Sequence, residues 1–200
     1  MELGYRTEAI AKFREMVNNA GSGKYNAYQL KSAAESLKEA KDYTTSRQAY
    51  KAALGPRKPD ATQLINEIPP GVAHIADAVE KFIADNPTSA RLVEANNMLS
   101  KACVEATMTE PDEKKRIALF QRAIRSLRTV QRYREKDGAA AVLDLRIQNG
   151  DIIETQGLVE AKFGDKEGEM KYLRQACSHY FGILATADFA NSELRTGYEN

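Results

Sequence analysis

Few residues of this 200-residue chain have types and spacings that suggest chemistry. Gly21-Ser22-Gly23-Lys24 resembles a phosphate loop only in its Gly-Lys pair. The pattern needs a glycine where Asn18 stands and a Ser or Thr where Tyr25 stands, and no buried strand precedes it. A loop between two helices is the simpler reading. His74 has Asp77 three residues on, a spacing that suits a surface hydrogen bond better than a metal site or catalytic dyad. Cys177 and His179 lie two apart, which on a helix points them in different directions. The carboxylates read as scattered over solvent faces. No nucleophile–base–orienter set emerges, so neither an enzyme nor a cofactor or metal is expected.

The most distinctive chemistry is cationic. From Asp112 to Lys136, nine Lys or Arg outnumber the acids, and Arg122, Arg125, Arg128 and Arg132 recur at three and four residues beside an apolar stripe. Such a row suits an acidic peptide, an anionic lipid head or nucleic-acid phosphate. The plainer expectation is a solvated face paired with acids of adjacent helices. A net charge of +1 gives no global argument for nucleic acid or an anionic membrane.

The elements that must hold these residues read as helices. In Tyr28–Leu54, Leu30, Ala33, Ala34 and Leu37 share one helix side, and Ser46, Ala49, Tyr50, Ala53 and Leu54 share another. Small residues stand where the two helices approach, and Gly55-Pro56 stops the second. Helices are further expected over about 5–17, 60–68, 72–83, 89–106, 111–136, 139–163 and 166–184, with another beginning at Phe189. Asp60 and either Thr88 or Ser89 are expected as caps, and Pro111 in a first turn. Cys103 and Cys177 fall on apolar helix faces and read as buried thiols. No apolar run approaches a bilayer span. No basic–apolar–small leader opens the sequence, which favours a soluble, cytoplasmic protein, or a periplasmic one if a leader was removed.

The Tyr28–Leu54 hairpin resembles a tetratricopeptide repeat. Ala34, Asp42-Tyr43, Tyr50-Lys51-Ala52-Ala53-Leu54 and the following proline carry the likeness, while Leu30 replaces the usual Trp and Ser46 the second-helix alanine. The match covers one repeat of about 34 residues. Read as a degenerate array, the chain has second-helix aromatics at Phe13, Tyr50, Phe82, Phe120 and Tyr180, spaced by 37, 32, 38 and 60 residues. The resemblance implies an all-α superhelix of antiparallel pairs, one helical-repeat domain over 1–200 and a segment of a longer array. It further implies a non-catalytic scaffold that receives a protein or peptide on a curved surface. The first-helix face Tyr28, Lys31, Glu35 and Lys38 would line that surface. Glu35 stands where a carboxylate-clamp Asn would be, so a clamp is not expected. Nucleic-acid binding through the basic helix, or a helical accessory role in a larger enzyme, are the alternatives. The oligomeric state stays open.

Overall fold

A computed structural model describes residues 2–55 and 71–186. The expected helix over 60–68 and the segment from Phe189 lie outside the described residues. Every regular element among the described residues is helical, and no strand occurs there. The helices are α1 (Glu2–Asn18), α2 (Ala27–Glu39), α3 (Tyr43–Ala53), α4 (Ala76–Asp85), α5 (Leu92–Thr107), α6 (Glu113–Arg134), α7 (Ala139–Lys162) and α8 (Lys166–Leu184).

The described residues fall into two compact units. One comprises 2–55 and 170–186, the other 71–169. Helix α8 therefore begins in the second unit and continues in the first.

In the first unit α2 opens with a capping box. Asn26 accepts from Gln29 N at 2.9 Å, and Gln29 Oε1 accepts from Asn26 N at 3.0 Å. Leu30, Ala33, Ala34 and Leu37 are buried, as are Ser46, Ala49, Tyr50, Ala53 and Leu54, so both expected faces form the hairpin seam. Ser46 serves the seam twice, being small and donating its hydroxyl to the Ala34 carbonyl at 2.7 Å. The turn is a Schellman motif. Asp42 N reaches Leu37 O at 2.9 Å, Lys41 N reaches Lys38 O at 3.0 Å, and Lys41 adopts a left-handed φ of 61°. Asp42 then caps α3 through Thr45 N at 3.2 Å and accepts from Arg14 Nε at 2.7 Å. Burial pulls the Asp42 carboxyl upward, but the Arg14 and Thr45 bonds outweigh it and hold the group below its usual range.

In the second unit, α5 and α6 pair in the same manner, and α7 is covered on nearly every side. Leu143, Leu145, Ile147, Ile152 and Val159 are buried together with Asn149, Thr155, Gln156 and Glu160. Two of these polar side chains turn back onto the helix's own backbone, Asn149 Nδ2 to Leu145 O at 3.1 Å and Thr155 Oγ1 to Asp151 O at 2.8 Å.

One local design recurs three times. Asp42, Asp112 and Asp165 cap α3, α6 and α8, each accepting from the backbone N–H three residues on. Eight residues after each cap comes a large buried side chain, Tyr50, Phe120 or Leu173; eleven after comes a buried alanine, Ala53, Ala123 or Ala176. In α8 the residue in this register is Leu173, seven positions before Tyr180. Pro111 sits just before the Asp112 cap and outside the first turn, and Ser89 Oγ accepts from Arg91 N at 3.2 Å ahead of a helix that starts at Leu92. Helix α4 departs from the pattern because it ends at Asp85, three residues after Phe82. The alanine position of the pattern falls at 85, where α4 ends on Asp85, and Phe82 is 37% exposed where its pattern predicts a core position.

Candidate functional site

The cationic face of α6 follows from its cap and its core. Asp112 fixes the start of the helix, and buried Phe120, Ala123, Ile124, Leu127 and Val130 fix its rotation. Arg122 lies off the exposed line. Its Nη2 donates to Asp77 Oδ1 at 3.0 Å and Glu80 Oε2 at 2.5 Å, both on α4. Partial burial works against its charge, but the two carboxylates dominate and raise its pKa further. Asp77 is thus committed to Arg122, while His74 Nδ1 donates to the Gly71 carbonyl, so the expected His74–Asp77 bond is absent. Arg125, Arg128 and Arg132 are exposed, and among the described residues none has a side-chain hydrogen bond or ion pair. Pairing with acids of neighbouring helices therefore holds for Arg122 and fails for the other three.

The α2 face is partly covered from within its own unit. Tyr28 is exposed and Glu35 half-buried, but the Lys31 and Lys38 ammonium groups lie 5.3 and 5.8 Å from the ring centre of Phe181 on α8. Phe181 meets Tyr50 edge-on, with ring centres 6.3 Å apart. Two of the four candidate groove residues on α2 thus flank an aromatic ring of the same chain. Burial, with the Glu35 charge second, pushes the Tyr50 phenol well above its ordinary pKa.

A second surface lies between α4 and α5. Ala78, Val79 and Phe82 face Ala95 and Met98 across a groove of about 240 Å³. Phe82 and Met98 are 37% and 43% exposed. Arg91 and Glu94 close its rim with two parallel bonds of 2.9 Å, which hold the Glu94 carboxyl below its usual range. Periodicity alone places Val79 and Phe82 on a core face, whereas Val79 is half-buried and Phe82 exposed.

The carboxylates are not all on solvent faces. Glu160 of α7 and Arg116 of α6 form a buried pair with side chains 1% and 4% exposed. Arg116 Nη2 meets Glu160 Oε2 at 2.6 Å and Nε the same oxygen at 3.2 Å, while Nη1 donates to the Glu110 and Pro111 carbonyls at 3.3 and 2.9 Å. Gln156 Nε2 donates to Glu160 Oε1, and the guanidinium stacks 4.3 Å above Phe163. Bonding to Glu160 raises the Arg116 pKa above its already high value. Every donor serves a structural partner, so this pair joins α6 to α7 and offers no catalytic group.

The remaining chemical candidates resolve into structure. Ala20–Ser22 form one tight turn, Gly23 takes a left-handed φ of 72°, and Lys24 lies over the Tyr25 ring. Cys103 and Cys177 are buried thiols, as expected; burial pushes Cys103 up to about 11, and Cys177 Sγ lies 3.5 Å from the Tyr43 carbonyl. Among the described residues no group of three His, Cys, Asp or Glu can hold a metal, and no helix is long and apolar enough to cross a membrane. In comparisons of sequence and structure, no protein-family model, no curated protein and no solved structure matches this chain.

Proposed function

We propose that this chain is a non-catalytic helical scaffold, built on tetratricopeptide-like pairs, that docks a segment of a protein partner. The observation that carries this reading is the α4/α5 groove. Phe82 and Met98 line the same groove, 37% and 43% exposed, with the Arg91–Glu94 bridge at its rim. Isolated exposed apolar residues are ordinary, but adjacent ones lining a concavity favour association, because their burial releases apolar surface from water. Helices that are already packed lose little freedom on binding, so the groove can hold a partner side chain without reordering. The α2 face is a weaker docking surface on this reading, since Phe181 lies between Lys31 and Lys38.

The test is site-specific photo-crosslinking. A photoreactive residue replaces Met98 in the native host lysate, with and without Phe82→Asp. The expected result is one crosslinked protein species whose yield falls at least tenfold with Phe82→Asp. Equal yields from the two proteins, or no crosslinked protein, would overturn the proposal. A second reading, binding of an anionic partner, is favoured by a different observation, the uncompensated arginines of α6.

A further inference from the structure

The exposed side of α6 carries a line of residues at three- and four-residue spacing: Lys114, Ala118, Gln121, Arg125, Arg128 and Arg132. All six are exposed, and none is acidic. The chain has 28 acidic residues, and α4 supplies two of them to Arg122 alone. Arg125–Arg128 and Arg128–Arg132 are like-charge neighbours on a helix, each pair costing about 0.2–0.5 kcal/mol that a facing anion would offset.

We propose that this line docks an acidic helix of a protein partner, a second contact surface that does not depend on the α4/α5 groove. At 1.5 Å per residue, Arg125 to Arg132 span about 10 Å. Asp or Glu at i, i+3 and i+7 of a facing helix repeats that spacing without distortion. Each guanidinium fork can then take a carboxylate through two parallel N–H···O bonds. Nucleic acid fits less well. A duplex presents phosphates on both sides of a groove about 12 Å wide, and one line of cations in a chain of net charge +1 neutralises few of them. An anionic membrane calls for a stripe of large apolar residues beside the cations, where α6 exposes the single aromatic Tyr133 and the line itself offers Ala118 and Gln121.

The probe is a fluorescent synthetic helix with Glu at i, i+3, i+7 and i+10, compared by anisotropy with a Gln-substituted twin and a single-stranded oligonucleotide of equal charge. The expected result is at least tenfold tighter binding of the Glu helix than of either competitor. That preference should vanish in Arg125/Arg128/Arg132→Gln, whose helix content circular dichroism should find unchanged because all three side chains are in solvent. Binding of the Glu helix no tighter than its Gln twin, weaker than the oligonucleotide, or unaltered by the triple substitution would overturn the proposal. If the Glu helix fails while Met98 crosslinking persists, this docking line falls and the scaffold stands. Tight binding of the Glu helix without crosslinking at Met98 keeps the docking line and discards the α4/α5 groove.

Discussion

Replacing Arg116 by Met should be among the most damaging single changes available to this fold. The side chain is 4% exposed and its partner Glu160 1%, so the substitution leaves a carboxylate out of water with Gln156 as its remaining side-chain donor. Removing one member of such a pair typically costs about 3–5 kcal/mol. For a chain of this size that lowers the melting temperature by about 6–20 °C. Glu160→Leu should cost a similar amount by stranding the guanidinium. Making both changes together should cost less. The charge is then gone from both sides, and what remains is the loss of the acceptor of the buried Gln156 amide, about 1–3 kcal/mol, and of the stacking on Phe163, about 1–2 kcal/mol. The double variant should therefore be more stable than either single, with a coupling of more than about 3 kcal/mol. Urea unfolding followed by circular dichroism measures all four corners of the cycle. Strictly additive losses, or single variants within about 0.5 kcal/mol of wild type, would show that the pair does not hold α6 to α7 in this way.

Two further outcomes follow from the α2–α3 turn. Lys41 holds a left-handed conformation that glycine adopts freely, so Lys41→Gly should raise stability by about 0.5–1 kcal/mol, visible as a melting temperature higher by about 1–4 °C. The Asp42 carboxyl is held below its usual pKa, so its charge contributes stability that is fully present above about pH 4 and is lost as pH falls through the depressed value. Asp42→Asn keeps a good helix cap and removes the charge. Its deficit against wild type should be constant from pH 7 to 5 and close below pH 4; a deficit that instead grows on acidification would refute the assignment.

The α2–α3 hairpin was fully legible because each helix shows one apolar stripe, and one stripe is what a helix covered on one side requires. Helix α7 shows why legibility ends. Covered nearly all round, it has no stripe to read, and its buried Asn149, Thr155, Gln156 and Glu160 look like surface residues in a list of types. The Arg116–Glu160 pair joins residues 44 apart, and Arg116 simply swelled the count of a basic run. Periodicity placed Arg122 beside Arg125, Arg128 and Arg132, but only the positions of Asp77 and Glu80 separate it from them. Phe82 misled for the opposite reason: it belongs to an apolar stripe, yet it lines an open groove and is 37% exposed.

The two buried thiols have a use beyond packing. The sequence holds two cysteines, and they are divided between the units, Cys177 in one and Cys103 in the other. Both are shielded from solvent, and Cys103 would be largely protonated at neutral pH even if reagent reached it. Modification must therefore wait for local opening, and its rate at each cysteine becomes a clock for the unit that contains it. The unaltered protein thus carries two independent reporters, which mass spectrometry of the labelled peptides can read separately. Agreement between the clocks would mean that the units open as one cooperative body, and disagreement would rank their opening free energies without introducing a single probe.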